Sequence, residues 1–178
     1  MLIGIAGPAR SGKDTVAEYL VKEFGYERFG MADPLKDGLL IMLRHVGVTW
    51  EHLWGERKEE VIPALGKSVR QMLQSLGTEW GRQLVHPDLW IKITEARVKD
   101  WSGRVISDVR FENEAAMVRR HGVLMHIERP DCAQVAAHKS EDGVKREPGD
   151  LVITNDGTVE DLQISVWLTL FGSGVIDL

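Results

Sequence analysis

The first fifteen residues, MLIGIAGPARSGKDT, constrain the fold more than any other stretch of the chain. Leu2 to Ala6 is a short apolar run, the pattern of a strand buried on both faces. It leads into Gly7-Pro8-Ala9-Arg10-Ser11-Gly12-Lys13, after which Val16, Ala17, Leu20, Val21 and Phe24 recur at helical spacing up to Gly25. Strand, glycine-rich turn and helix in that order present backbone N–H groups at a positive helix end, where phosphate oxygens bind well. The spacing matches Gly-x-x-x-x-Gly-Lys-[Ser/Thr] at every fixed position but the last, where Asp14 replaces the hydroxyl that holds Mg²⁺ in such loops.

The rest of the chain extends this beginning. Tyr26 to Met31 makes a second short strand; Asp33 then caps a helix with Pro34 at its first position, running through Leu35, Leu39, Leu40 and Leu43. From Trp50 to Lys99 the pattern is helical with no intervening strand. Val69, Met72, Leu73 and Leu76 form one stripe, Gly77 breaks the helix, and Pro87 opens another with Leu89, Ile93 and Ala96. Arg104 to Ser107 is a strand ending at Asp108, followed by a helix from about Glu112 and strands at Val123 to Ile127 and Leu151 to Ile153. A last helix starts near Thr158 and ends in the apolar Val166 to Phe171 segment.

Strands alternating with helices predict an α/β fold with a parallel sheet covered on both faces and ligands beyond the carboxyl ends of its strands. With 178 residues, 43% of them hydrophobic, a single domain is expected, carrying a helical insertion at about 33–99. Residues 129–150 are polar, with two prolines and two glycines, and read as a mobile flap.

A net charge of −5 argues against a broad basic surface for polymeric nucleic acid, so phosphate binding must be focal. No apolar run approaches the roughly 18 residues of a membrane span, and the amino terminus lacks the features of a signal peptide. A soluble cytoplasmic protein is expected. The single cysteine, Cys132, has no partner for an internal disulfide and no metal-site spacing around it, and it is assigned no role.

Lys13 is placed to reach β- and γ-phosphates, with Arg10 and Ser11 as weaker members of the loop. Asp108 either holds Mg²⁺ through water or caps the helix before Glu112, and Arg110 either grips a phosphate or makes a surface salt bridge. Arg70 and Gln74 share a helix face with Arg82 following, which suits a phosphate and a base edge as well as a solvated surface. Trp80 and Trp90 read as packing residues. In the flap, Arg129, Lys139 and Arg146 are cations that closure would bring to a phosphate, or ordinary loop charges. His138-Lys139-Ser140-Glu141 lacks the spacing of a zinc site.

Taken together, GPARSGKDT, FGMADPLK (29–36), VRQMLQSLGTEWGR (69–82), DLW (88–90), SDVRFENE (107–114), HKSE (138–141) and ITNDGTVEDL (153–162) resemble the bacteriophage-type deoxynucleoside monophosphate kinases over nearly the whole chain. The resemblance implies transfer of the ATP γ-phosphoryl group to a deoxynucleoside monophosphate. It also implies a P-loop kinase-like three-layer fold with a five-stranded parallel sheet, a helical monophosphate-binding insertion and a lid at about 129–150. On this basis Gly7, Arg10, Ser11, Gly12, Lys13, Asp14 and Thr15 hold the phosphates of ATP, and Asn155 lies near its adenine. Lys13, Asp108 and Arg110 attend the transfer, and Asp33, Lys36, Arg70, Gln74 and Arg82 serve the acceptor. Arg129, His138, Lys139 and Glu141 belong to the lid.

Asp14 would join Asp108 in the Mg²⁺ shell, since its charge beside phosphates is tolerable if it faces the metal; the alternative is that it only complements the helix dipole. Ala9 departs from related loops that carry a basic residue there. Three readings stay open: the deoxynucleotide kinase, a kinase of another phosphorylated acceptor such as phosphomevalonate, and a regulatory protein that holds ATP without transfer. A homodimer through the apolar last helix is also left open, and so is the base accepted. If the chain is phage-encoded, the host cytoplasm is its expected location.

Overall fold

The computed structural model describes residues 1–130 and 143–176, so Cys132, His138, Lys139 and Glu141 lie outside the described residues. In chain order the elements are β1 (Leu2–Ala6), α1 (Lys13–Phe24), β2 (Glu27–Phe29), α2 (Asp33–Leu43), α3 (Trp50–Leu53), β3 (Val61–Ile62), β4 (Lys67–Ser68) and α4 (Val69–Gln74). A wide-turned helix, Ser75–Val85, comes next. It is followed by α5 (Leu89–Arg97), β5 (Arg104–Val109), α6 (Glu112–His121), β6 (Gly122–Glu128), β7 (Leu151–Thr154) and α7 (Val159–Gly172). These divide into two compact units, one of Met1–Gly30 with the chain from Lys99 onward and one of Met31–Val98.

The first unit is built on a five-stranded sheet in the order β2-β5-β1-β6-β7, and every pair in it is parallel. All of β1 is buried, and its alternate residues serve opposite faces. Ile3 and Ile5 pack with Val105, Met125, Ile127 and Ile153 of neighbouring strands against Val16, Ala17 and Leu20 of α1 and Leu162, Val166 and Leu170 of α7. Gly4 faces the other way, where a Cβ would stand 2.5 Å from a methyl of Val118 on α6. Helices thus cover both faces, the three-layer α/β arrangement expected. Among the described residues no helix is long and apolar enough to cross a membrane.

The second unit has its own core of Leu39, Val48, Leu53, Ile62 and Val69. Several local expectations change here. First, the stretch from Trp50 to Lys99 does contain strands: β3 and β4 form an antiparallel hairpin pairing Val61 with Ser68 and Ile62 with Lys67. Ser68 then caps α4, its hydroxyl accepting from Gln71 N–H while the Gln71 side chain accepts from Ser68 N–H.

Second, Asp33 is not the cap of α2: Ala32 occupies that position, and Asp33 lies in the first turn beside Pro34. Third, Gly77 does not break the helix. The Trp90 indole donates to the Gly77 carbonyl at 2.8 Å, and a Cβ on Gly81 would meet the Trp90 ring at 2.6 Å. Gly81 therefore serves the close approach of Trp90 to the 75–85 helix, whereas a Cβ on Gly77 would meet Leu35 at 3.2 Å. On α5 the buried residues are Trp90, Ile91 and Thr94, not the stripe of Leu89, Ile93 and Ala96. Trp90 is a core residue as expected, whereas Trp80 is 47% exposed.

Candidate active site

The glycine loop joins β1 to α1 through a backbone that ordinary residues adopt with difficulty. Gly7 and Gly12 have φ of 147° and 107°, and Arg10 is left-handed at 63°. Space is as restrictive as conformation. A Cβ on Gly7 would lie 2.4 Å from the Ile127 carbonyl oxygen, and one on Gly12 would lie 2.7 Å from the Asn155 side-chain nitrogen. The loop is fastened from within: the buried Asn155 amide donates to the Ser11 carbonyl at 2.7 Å, while Asn155 N–H donates to the Glu128 carbonyl. Ser11 is fully buried, its hydroxyl withdrawn from solvent. Lys13 Nζ donates to the Gly7 and Pro8 carbonyls and lies across the loop.

One side of the loop borders a cavity of about 440 Å³ lined by Arg10, Lys13, Thr15, Arg129, Asn155 and Thr158. Its size suits a small polar ligand. Arg129, expected in the lid, is on this cavity's wall directly after β6. Thr158 caps α7 here: its hydroxyl accepts from Asp161 N–H, and the Asp161 carboxylate accepts from Thr158 N–H at 2.9 Å. Donation to that carboxylate from the Thr158 N–H and, at 2.8 Å, from the Thr158 hydroxyl holds the Asp161 carboxyl below its ordinary range.

On the opposite side, a smaller cavity of about 220 Å³ is lined by Gly7, Pro8, Arg110, His126 and Arg146. Strand β5 reaches it through an irregularity, since Gly4 pairs with Ile106 and Ala6 with Val109. Two residues, Ser107 and Asp108, therefore stand opposite Ile5, a bulge of the kind that re-aims side chains at the end of a strand. Asp108 lies within β5, and its Oδ1 is withdrawn from solvent. The backbone N–H groups of Arg110 and Phe111, at the start of α6, donate to the Glu114 carboxylate.

Sequence reading missed Arg28. It extends from β2, where it is registered with Val105 of β5, and its Nε donates to Ser107 Oγ at 3.0 Å while its Nη2 pairs with Asp14 Oδ1. Asp14, placed in the first turn of α1, thus has a cation beside it.

The carboxyl end of the expected flap is fastened to the sheet unit. Arg119 of α6 donates to both oxygens of Asp150, at 2.9 and 2.7 Å, and also to Glu147 and the Lys145 carbonyl. His126 Nε2 lies 2.9 Å from Asp150 Oδ2, and Lys145 N–H donates to Glu112. Arg146, a candidate phosphate cation, is paired with Glu128. Residues 145–150 are thus bonded to side chains of α6 and β6.

The expected acceptor residues Asp33, Lys36, Arg70, Gln74 and Arg82 all fall in the second unit. Lys36 Nζ is 3.2 Å from Asp33 Oδ1 and 5.8 Å from the centroid of the Trp54 ring. Arg70 is paired with Glu59, Gln74 is exposed on α4, and Arg82 Nη1 is 3.4 Å from the Pro87 carbonyl.

A family model for deoxynucleotide monophosphate kinase matches residues 1–53 and 58–166. A protein of Acanthamoeba polyphaga mimivirus assigned the same activity is 32% identical over 181 residues, covering 90% of this chain and 91% of its own. The deoxynucleotide monophosphate kinase of Escherichia phage RB69 is 24% identical, with 90% and 96% of the two chains covered. In fold, the chain is similar to the shikimate kinase of Aquifex aeolicus, with a TM-score of 0.55, 16% identity and 98% and 99% of the two chains covered.

Proposed function

Since the chain belongs to the deoxynucleotide monophosphate kinase family, we propose that its glycine loop and its second unit divide the work of a phosphoryl transfer between two nucleotides. The enzyme is a kinase: the γ-phosphoryl group of ATP passes to the 5′-phosphate of a deoxynucleoside monophosphate, giving the diphosphate and ADP. The observation that carries the ATP side of this reading is the loop itself, fastened by Asn155 and open to the 440 Å³ cavity.

ATP lies along Gly7, Arg10, Gly12, Lys13 and Thr15, with Ser11 contributing backbone only. Asn155 acts on the adenine side mainly by holding the loop. Lys13 leaves the Gly7 and Pro8 carbonyls for the transferring phosphate, where a cation offsets developing charge. Arg110 supplies a second cation from the end of β5. Asp33, Lys36, Arg70, Gln74 and Arg82 bind the monophosphate, and Arg129, His138, Lys139 and Glu141 belong to a lid that excludes water.

Mg²⁺ fits the donors present. Asp108 and Asp14 offer hard oxygen ligands, and Mg²⁺ takes one or two carboxylates with the rest of its shell from phosphates and water. Among the described residues no group of three or more His, Cys, Asp or Glu is arranged to hold a metal. When bound, Mg²⁺ would screen the charge of the phosphates. The place of action is the cytoplasm, that of the host if the gene is a phage's.

A coupled assay of ADP production tests the proposal with each common deoxynucleoside and nucleoside monophosphate and with phosphomevalonate. ADP formation with a deoxynucleoside monophosphate is expected. Formation with phosphomevalonate alone, or ATP binding with no acceptor used, would overturn it.

A further inference from the structure

Asp14 sets a full negative charge in the first turn of the helix that follows the loop, where it repels an anionic ligand. Its counter-charge comes from a strand two positions away in the sheet. Arg28 Nη2 pairs with Asp14 Oδ1, and Arg28 Nε donates to Ser107 Oγ at 3.0 Å. Ser107 is only 5% exposed and sits at the β5 bulge, immediately before Asp108. The guanidinium is therefore held from two elements and engages one oxygen of the Asp14 carboxylate.

The Asp14 and Arg28 side chains are 76% and 40% exposed, so the pair adds little to folding stability. Its position in front of the loop gives it a different consequence. We propose that Arg28 is a positioning residue for phosphate binding, offsetting and orienting Asp14 so that the loop meets ATP without a net negative charge at this position. The inference rests on the reading of Gly7 to Thr15 as the ATP site. It explains how a carboxylate is tolerated where related loops carry a neutral hydroxyl. It also predicts that Arg28 matters only while position 14 is charged.

The test is a double-mutant cycle read by calorimetric binding of ATP in EDTA, which isolates the phosphates from any metal. Arg28→Met is expected to weaken ATP about tenfold, the scale of one uncompensated charge near the phosphates. Asp14→Asn alone should bind ATP as tightly as the parent or more so, and Arg28→Met with Asp14→Asn should return to within about threefold of the parent. Arg28→Lys should stay near the parent. Arg28→Gln, which keeps a donor for Ser107, should repeat the behaviour of Arg28→Met, separating charge from folding. A double variant as weak as Arg28→Met, or an Arg28→Met variant that binds like the parent, overturns the proposal while leaving the loop assignment in place. A parent that does not bind ATP overturns both.

Discussion

The side-chain nitrogen of Asn155 donates to the carbonyl oxygen of Ser11 at 2.7 Å, joining positions 144 apart in sequence. Both residues are buried, so the bond ties the turn after β7 to the middle of the glycine loop, out of competition with water. The loop's shape therefore depends on a residue near the far end of the chain as well as on its own glycines.

Replacing Asn155 by Ala should unfasten that carbonyl. Leaving a buried polar group without its partner costs about 1–3 kcal/mol, which corresponds to several degrees in melting temperature for a chain of this size. Asn155→Asp should be worse, because a carboxylate would face the Ser11 carbonyl. Both variants should also raise KM for ATP, and urea denaturation beside steady-state kinetics measures the two effects. An unchanged denaturation midpoint in Asn155→Asp would remove the tether from the account.

Lys13→Ala should reduce kcat by about two to three orders of magnitude, the scale for losing one preorganised charge at the reacting group. Its hydrogen bonds go to exposed loop carbonyls, so the melting temperature should hardly move. Activity within a few-fold of the parent would refute the loop's role in transfer.

The strand, loop and first helix were legible because their signals are local: an apolar run, two glycines at fixed spacing and a 3.6-residue stripe. The β3–β4 hairpin was not, since two-residue strands display no alternation. Gly77 read as a breaker because its place in the fold, with its carbonyl accepting from the Trp90 indole, depends on another helix. Arg28 escaped notice for a similar reason. Its importance depends on β2 lying beside β5 in the sheet and on the bulge at Ser107 and Asp108, neither of which is written in a single segment.

Arg70 offers a check on the acceptor side. It is paired with Glu59 in this structure, and both side chains are more than half exposed, so little stability is at stake. Arg70→Ala should raise KM for the monophosphate at least about tenfold and leave KM for ATP within about twofold, because a bidentate guanidinium–phosphate contact is strong and specific to one ligand. Glu59→Gln, which removes a competitor for the guanidinium, should leave the monophosphate KM unchanged or lower it. Equal losses for both nucleotides in Arg70→Ala would take Arg70 out of the acceptor site.

Asp150 makes a prediction about pH. Burial opposes its charge, yet hydrogen bonds from Arg119, the Glu147 N–H and His126 outweigh burial and bring its carboxyl down to about 2 from an ordinary 3.8. A carboxyl whose pKa is lower in the folded than in the unfolded chain stabilises the fold fully above the unfolded value, and that stabilisation is lost as pH falls through the folded one. The window is thus from about pH 4 down to about pH 2, and the shift corresponds to about 2 kcal/mol. Asp150→Asn removes the titrating group and leaves Arg119 and His126 facing a neutral amide. At pH 7 the variant should be less stable than the parent by at least about 2 kcal/mol, and urea midpoints of the two should converge as pH drops below 4. Because Asp161 and the other shifted carboxyls are common to both proteins, their titration cancels in the difference. A stability gap that stays constant from pH 6 to pH 2.5 would mean that Asp150 holds the end of the 143–150 segment by shape rather than by charge.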